Sequence, residues 1–288
     1  MSSIGKIYSF TFSSLKSRPL IFVPFLFLAV IELISLCVVY FSPQLPLRLF
    51  FGPIIRTFWG EQFLHYPANF ALLPKLASLS QKADYLFFGS LMSSVVVVMV
   101  SQFFRKEKMN FKSAVRTGFK KYFHVFAVIL LVTVLFQYSM KAFPFVLYKY
   151  FSAGHAKLLF IPASLWLSLG VIVFNFILGI LLQCAFIYSI PFIVLENLKF
   201  GKAIVRSMVL FKRLFLPTLI LTTLPALLYI PIIILDLNAV FLIDTLFPEF
   251  IFLVAIIGLG LNVLLIDPLI TLATTFLFLE SGKNSLNR

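Results

Sequence analysis

The chain has 288 residues, of which 61% are hydrophobic and only 12% are charged, and its mean hydropathy is +1.06. Ordinary soluble domains are about half apolar and a quarter charged, so this composition excludes a soluble globular protein, a disordered chain, collagen and a coiled coil. The formal charge of +14 comes from 24 Lys and Arg against 10 Asp and Glu. Because no nucleic-acid-binding motif accompanies this excess, it predicts orientation in a membrane and contact with anionic membrane lipids, and no nucleic-acid partner.

Six apolar segments are long enough to cross a bilayer, which needs about 20 residues. In chain order they cover residues 20–41, 84–104, 123–148, 160–195, 214–235 and 249–279. The fourth and sixth exceed the required length, so we expect them to tilt, kink or protrude. The first is too long for the core of a signal peptide and no cleavage site follows it, which predicts a retained span. Three prolines, Pro217, Pro225 and Pro231, predict bends in the fifth.

The loop between the first two predicted spans, residues 42–83, is long and aromatic. Five of its side chains would share one face of a short helix: Ile54, Ile55, Phe58, Trp59 and Phe63. This pattern predicts a helix that lies in the membrane interface. A lid over a site is the alternative.

A basic segment leads into the third predicted span and recurs before the fifth. Residues 112–117, Lys-Ser-Ala-Val-Arg-Thr, correspond to residues 202–207, Lys-Ala-Ile-Val-Arg-Ser, and the N-terminus is a looser third copy. Each copy has one apolar face, which predicts an amphipathic helix on the membrane surface. Either duplication or independent origin of similar helices explains the pattern. The side chains expected to contact lipid headgroups are Lys112, Arg116, Lys120, Lys121, Lys202, Lys212 and Arg213.

The repeated unit of a basic helix and two spans predicts the fold class. We expect an all-α integral membrane protein with six transmembrane helices in three hairpins, each preceded by a basic amphipathic interfacial helix. Residues 1–288 would form one polytopic membrane domain, with hairpins at about 1–104, 105–195 and 196–288. Seventeen of the 24 Lys and Arg fall on the side of the two termini, and seven fall on the other side. By the positive-inside rule, this bias predicts a multi-pass protein of a bacterial cytoplasmic membrane with both termini in the cytoplasm.

The junction between the fourth and fifth predicted spans carries a recognisable motif. A proline is followed by four apolar residues and a glutamate, then by Gly-Lys-Ala-Ile-Val-Arg-Ser at residues 201–207; the C-terminal part adds a proline and Leu-Phe-Leu-Glu. In these residues the chain resembles bacterial six-span membrane proteins of uncharacterised function, a group that includes the membrane domain of some glycerophosphodiester phosphodiesterases. The resemblance covers roughly residues 105–280. The residues that match the pattern are Pro191, Glu196, Ala203, Arg206, Ser207, Pro268 and Glu280.

The resemblance implies six helices and cytoplasmic termini but no settled activity. The sequence departs from the pattern at Ser281, where the family tends to have a basic residue. Of the matched residues, Glu196 and Arg206 carry opposite charges at the end of the fourth span and on the basic helix that follows. We expect them to form a structural clamp rather than a ligand site.

Two acids lie deep within the predicted spans. Glu32 and Asp267 are each about 18 Å from one end of their span at 1.5 Å per residue, and Gln137 and Gln183 fall within a turn or two of that level. An ionisable side chain inside a membrane is a functional candidate by default. These four residues therefore form a candidate intramembrane polar site. It would bind a proton or cation, or it would hold protonated carboxyl groups that hydrogen-bond between helices.

Motifs that carry catalysis are absent from the sequence. It contains no His-Glu-x-x-His, Gly-x-Ser-x-Gly, Walker A or Gly-x-Gly-x-x-Gly pattern, and its two Cys and three His form no disulfide framework or metal-ligand pattern. We therefore predict no catalytic residue, no cofactor and no metal. Protein partners are not predicted.

The composition and topology predict a non-catalytic inner-membrane protein, in envelope or lipid organisation or as a membrane partner. The alternative is a small permease or channel that uses Glu32 and Asp267. A polar cavity that reaches the middle of the membrane would favour the alternative, whereas apolar side chains filling the bundle would favour the first function.

Overall fold

The computed structural model describes residues 4–151 and 163–286, with side chains described at residues 4–141 and 170–282. Within these stretches the regular structure is entirely helical, and no strand is present. The α-helices are α1 (Ile4–Ser17), α2 (Val23–Phe41), α3 (Arg48–Trp59), α4 (Ala68–Asp84), α5 (Ser90–Phe104), α6 (Phe111–Phe151), α7 (Ala163–Phe186), α8 (Ser189–Val194), α9 (Phe200–Arg213), α10 (Phe215–Leu227), α11 (Ile230–Leu237), α12 (Ala239–Thr245), α13 (Phe250–Leu261) and α14 (Asp267–Leu286).

Several stretches of the described chain are long and apolar enough to cross a membrane. Five of them are continuous: Pro19–Phe41, Ala68–Phe104, Phe111–Lys141, Gly170–Val194 and Phe250–Gly282. Helices α10 and α11 make a sixth span if they are taken together, with a bend of 49° between them. Each predicted segment overlaps one of these six. The protein is therefore all-helical with five or six helices of membrane-spanning length.

The second span differs most from its predicted bounds, because it begins at Ala68 rather than at residue 84. Helix α4 continues through a π-helical turn, Tyr85–Gly89, directly into α5. Polar residues such as Lys82 gave this stretch the composition of a loop. It is helical because its apolar side, which includes Leu73, packs against α2 and α13.

The basic segment before the third span also differs from the prediction. It is not a separate helix, because α6 is a single helix of 41 residues whose basic first turns contain no proline. By contrast, Pro19 directly follows the residue after α1, and Leu214 leaves the helical conformation between α9 and α10, with φ −109° and ψ 27°. Only the first and third basic segments therefore form helices of their own.

Two clusters of buried side chains lie at opposite ends of the bundle. The larger one joins the N-terminal parts of α2, α6 and α10 to the C-terminal parts of α5 and α14 and to α8, and α1 and α9 contribute to it. We call this the basic end, defined by α1, residues 105–122 and α9. The smaller cluster, at the opposite end, joins α2, α4, α12 and α13. The basic segments therefore share one side of the molecule.

Helix α3 lies in the chain segment that joins the first two spans. Ile55 on this helix is buried, and the partly buried Trp59 packs with it, whereas Ile54 and Phe58 are exposed. The expected single apolar face is therefore divided between two sides of the helix. One side packs against the short 3₁₀ helix Glu61–Leu64 and against α4, and the other is exposed.

Candidate functional site

A cavity of about 540 Å³ lies between the spans. Its volume falls in the range of small-molecule sites, roughly 300–1,000 Å³. All six spanning stretches contribute to its wall, since its lining includes, in chain order, Glu32, Tyr85, Gln137, Gln183, Tyr229 and Asp267. The cavity is therefore a feature of the whole bundle rather than of one hairpin.

The cavity is long in the direction of the helices. Along the second span its lining residues run from Ser78 to Val97, which corresponds to about 28 Å at 1.5 Å per residue. Along the sixth span they run from Asn262 to Thr275, about 20 Å on the same rise. The hydrocarbon core of a bilayer is about 30 Å thick, so the cavity is comparable in length to the apolar thickness of a membrane.

The two acids expected inside the membrane both line this cavity, as do Gln137 and Gln183. Glu32 is only 3% exposed. Its Oε2 atom and the Oδ2 atom of Asp267 are buried without a hydrogen-bond partner. The two carboxyl groups lie close enough to interact electrostatically, and Asp84 also acts on Glu32. The four residues predicted for the polar site therefore all line this one cavity.

Asp84 adds a third carboxyl group near the cavity. It is 9% exposed, and its Oδ2 atom is also buried without a partner. It is the last residue of α4, directly before the π-helical turn. The sequence placed it at the edge of a span rather than with Glu32 and Asp267, because the prediction began that span at residue 84.

Lys82 is the only basic residue among the described residues that line the cavity. In the described part of the chain the ion pairs are Arg56–Glu61 and Arg206–Glu196. Among the described residues, no carboxylate therefore lies within ion-pair distance of the Lys82 amino group. Three carboxyl groups and one amino group line the cavity or lie near it, and none of the four forms an ion pair among the described residues.

The helices that form the cavity are irregular at the level of the cavity. π-Helical turns interrupt the second span at Tyr85–Gly89 and the sixth at Asn262–Ile266. The fourth span contains a turn at residues 187–188 between α7 and α8, and the fifth is bent between α10 and α11. Each irregularity supplies a lining residue: Tyr85, Asn262, Ile187 and Tyr229. Isolated π-helical turns occur frequently at functional sites, and broken spans form binding sites in many transporters.

Glycines leave room for two of the cavity's tyrosines. A Cβ atom at Gly89 would lie 2.8 Å from the Tyr85 ring, and one at Gly258 would lie 3.3 Å from the Tyr229 hydroxyl. Because contacts under 3.0 Å would force a side chain to move, the absence of a Cβ at Gly89 allows the Tyr85 ring to lie against its own helix. The tyrosine positions thus depend on glycines that do not line the cavity.

The walls that α6 and α7 supply are mostly apolar. Val128, Val132, Phe136, Leu182 and Phe186 line the cavity from these two helices. The polar groups on the same helices are mostly uncharged amides and hydroxyls. The charged groups of the cavity instead come from α2, α4 and α14. The cavity therefore has a charged side and a largely apolar side.

The residues matched to the six-span pattern lie mainly at the basic end. Arg206 Nη1 donates to Glu196 Oε2 at 3.0 Å, and Ser207 Oγ donates to the Ala185 carbonyl at 2.7 Å. These two contacts join α9 to the end of the fourth span. The remaining matched residues occupy three settings: Ala203 is fully buried, Pro191 lines the cavity, and Pro268 and Glu280 lie in α14.

Most of the basic side chains expected to contact lipid are exposed. Six of the seven are exposed: Lys112, Arg116, Lys120, Lys202, Lys212 and Arg213. The seventh, Lys121, is partly buried and donates to Asn197 Oδ1 in the turn before α9. The first six are thus free to meet headgroups, while Lys121 joins two basic segments.

Sequence reasoning missed Lys82, Asp84, Tyr85 and Tyr229 as site residues. The cluster Gln-Lys-Ala-Asp at residues 81–84 was a signal, but its polarity indicated a loop. The tyrosines gave no signal, because aromatic residues are common at membrane interfaces. Among the described residues, no group of three or more His, Cys, Asp or Glu could hold a metal ion.

Comparison with known proteins adds no further information about the site. No family model, curated protein or solved structure matches the chain. The resemblance to six-span bacterial proteins therefore stays a prediction that rests on the motif residues alone.

Proposed function

We propose that the protein is a small permease and that its central cavity is the substrate-binding site. The single observation that carries this proposal is the position of Glu32: it is almost fully buried, lines the cavity and has a carboxylate oxygen without a partner. A merely structural acid would be expected to hydrogen-bond a neighbouring helix, because an unsatisfied buried polar group is costly. An unpartnered acid beside a cavity is instead available to a ligand.

The helix irregularities support the same function. A rigid scaffold gains nothing from four spans that are each irregular where they border one cavity, since each irregularity disturbs backbone hydrogen bonds. Interruptions are useful where helices must bend or where backbone groups line a path. This favours the permease over a non-catalytic role in envelope or lipid organisation, for which an apolar, fully packed bundle would suffice.

The proposed mechanism alternates access to one site. The buried cluster at the basic end and the smaller cluster at the opposite end lie on either side of the cavity along the helices. Loosening one cluster while the other stays packed would open the cavity to one side at a time. The bend between α10 and α11 and the turn between α7 and α8 are the natural hinges.

Orientation is part of the proposal. The basic end would face the cytoplasm of a bacterial inner membrane, with three hairpins forming one membrane domain of the six-span type. The exposed lysines and arginines of the basic end support this, together with exposed apolar side chains on α9, where Val205 and Val209 are 62% and 63% exposed. Such a helix suits the interface of anionic lipids.

Accessibility from both sides tests the permease. In oriented membrane vesicles, with Cys37 and Cys184 replaced by Ser and Ala, we expect Thr271→Cys to react with a membrane-impermeant maleimide added to either side. Thr271 is suitable because it lines the cavity one helical turn from Asp267. Val96→Cys, which is fully buried in the packed cluster, is the matched control and should remain unlabelled.

Two exposed positions calibrate the same experiment. Ser113→Cys at the basic end should be labelled only from the cytoplasmic side, and Thr57→Cys on α3 only from the other side. Reaction of both from one side would contradict the proposed orientation. If Thr271→Cys reacts from neither side, the cavity is closed to solutes and the permease proposal is wrong.

The lipid contact has its own test. Changing Lys112, Arg116, Lys120 and Lys121 together to Gln should weaken association with anionic lipid by about 1 kcal/mol per charge near the surface. Native mass spectrometry with mixed anionic and zwitterionic lipid measures this preference. An unchanged preference would mean that these residues only set topology.

A further inference from the structure

We infer that the cavity binds an organic monocation, namely an amine with an apolar body, and not an anion or a neutral polar solute. The inference rests on the proposed function, since it names the substrate class of the same site.

Charge is the first argument. Glu32 and Asp267 line the cavity, each with a buried oxygen that has no partner, and Asp84 acts on Glu32 from α4. Only Lys82 supplies the opposite charge among the described lining residues. Carboxylates in an apolar surrounding must be neutralised by a proton or a cation. A positively charged ligand supplies that neutralisation, whereas an anionic ligand would add to the repulsion.

The lining outside the acids gives the second argument. Phe136, Phe186 and several aliphatic side chains form the walls from α6 and α7. Two tyrosines, Tyr85 and Tyr229, line the cavity near the acids, since both interact electrostatically with Glu32. Aromatic rings attract cations through their faces. A ligand with a positive head and an apolar body would therefore match both sides of the cavity.

Size and donor set distinguish an organic cation from a metal ion. A cavity of about 540 Å³ is much larger than a metal ion requires. In the described part of the chain no three acidic, histidine or cysteine side chains converge well enough to hold a metal. Divalent cations such as Ca²⁺ need six to eight oxygen ligands at short distance. The arrangement instead suits one ammonium group that meets two carboxyl groups.

Charge selectivity of a cysteine in the cavity tests the inference without knowledge of the natural substrate. In the protein with Cys37→Ser and Cys184→Ala, solubilised so that both ends are accessible, Thr271→Cys is treated with three methanethiosulfonates. These carry a trimethylammonium group, a sulfonate group or a neutral methyl group. Each rate is divided by the rate at the exposed Thr57→Cys, which removes the intrinsic reactivity of the reagent.

The cationic reagent should react at least about tenfold faster than the anionic one, because a charged cleft concentrates counter-ions by that order. Glu32→Gln together with Asp267→Asn should reduce the ratio of the cationic to the anionic rate to near one. Asp244→Asn, which changes an exposed acid on α12, is the matched control and should leave the ratio unchanged.

The remaining outcomes separate the inference from the proposed function. If the neutral reagent reacts but the anionic reagent is as fast as the cationic one, the cavity is accessible and the cation inference is wrong. The same holds if the ratio is high but the double variant does not lower it. If even the neutral reagent fails to react, the proposed function itself is contradicted.

A matched set of ligands gives a second measurement. Tryptamine, tryptophol and indole-3-acetate share one apolar body and differ in carrying a positive, neutral or negative head. We expect tryptamine alone to raise the melting temperature of the protein in lipid nanodiscs, by binding the folded state, and expect the double variant to lose this shift. A larger shift with indole-3-acetate than with tryptamine would overturn the inference.

Discussion

The second span contains two regions that differ sharply although they belong to one continuous helix. Residues 95–100 are all at most 9% exposed, and Ser94 and Ser101 beside them are buried as well. Ten residues earlier in the chain, the turn Tyr85–Gly89 is π-helical and borders the cavity. Of residues 95–100 only Val97 lines the cavity, so this part of the helix is almost completely packed, while the turn Tyr85–Gly89 lies beside open space.

This difference explains how one helix bundle can be stable and still contain a cavity. A helix that is apolar all round is buried all round, and the run of valines at residues 95–98 allows α6, α8 and α14 to pack closely around α5. The packed region holds the helices together, so the cavity region can carry unpartnered acids and irregular backbone. Substitutions in the two regions should therefore have different consequences, which the following predictions test in order of decreasing effect.

The largest effect is expected from truncating a packed leucine. Leu272→Ala removes a side chain that is fully buried in the cluster at the basic end. It should lower the free energy of unfolding by roughly 2–5 kcal/mol, because it leaves a void that its neighbours cannot fill. Chemical denaturation in detergent measures the loss.

Leu182→Ala is the matched variant in the cavity region, since Leu182 lines existing open space. It should cost less than half as much stability as Leu272→Ala, and it should change the labelling rate of Thr271→Cys, which Leu272→Ala should not do. Equal losses of stability would mean that the two regions are packed alike.

The next largest effect is expected at Gly258, a residue of α13 at its contact with α11. A Cβ atom at Gly258 would lie 2.9 Å from Ile232 Cγ2, whereas nothing lies within 4 Å of a Cβ atom at Gly260. Gly258→Val should cost about 1–3 kcal/mol by overpacking and should displace Tyr229. Gly260→Val serves as the control, and thermal unfolding of both variants decides whether the close approach of α11 and α13 is required.

Gly89→Ala should alter the cavity with little change in stability. The new methyl group would meet the Tyr85 ring, which has open space beside it in the cavity. We expect the melting temperature to change little and the reactivity of Thr271→Cys to change clearly, because the ring moves toward the acids. Gly201→Ala, at an open position on α9, should change neither. A large loss of stability for Gly89→Ala would show that Tyr85 has no room to move.

The smallest effect is expected at the ion pair on the surface of the basic end. The side chains of Arg206 and Glu196 are 59% and 42% exposed. A double-mutant cycle with Arg206→Gln and Glu196→Gln should give a coupling of at most about 1 kcal/mol, which falls as salt is added. A larger coupling that resists salt would make this pair a stronger link between α9 and the fourth span than its exposure suggests.

The sequence predicted the helical class and the positions of the spans well, because both follow from local composition. A run of apolar residues has to be helical in lipid, where every backbone hydrogen bond must be made within the segment. The same reasoning located Glu32 and Asp267 at one depth, and Gln137 and Gln183 within a turn or two of it, since depth depends only on the rise per residue. It misplaced the start of the second span, because the polar residues at 81–84 resemble a loop until their partners are known.

Composition and local sequence patterns are therefore enough to predict an all-helical chain with membrane-length apolar segments, a strong basic bias and two acids at similar depth. Only the folded structure shows that those acids line one cavity, that Lys82 and Tyr229 line it with them, and that four of the spans are irregular where they border it. The depth of a residue in the membrane depends on its own helix alone. The direction in which its side chain points depends on how that helix is rotated and packed against its neighbours. That rotation depends on contacts between residues far apart in the chain, such as Gly258 with Ile232, and no local pattern specifies it.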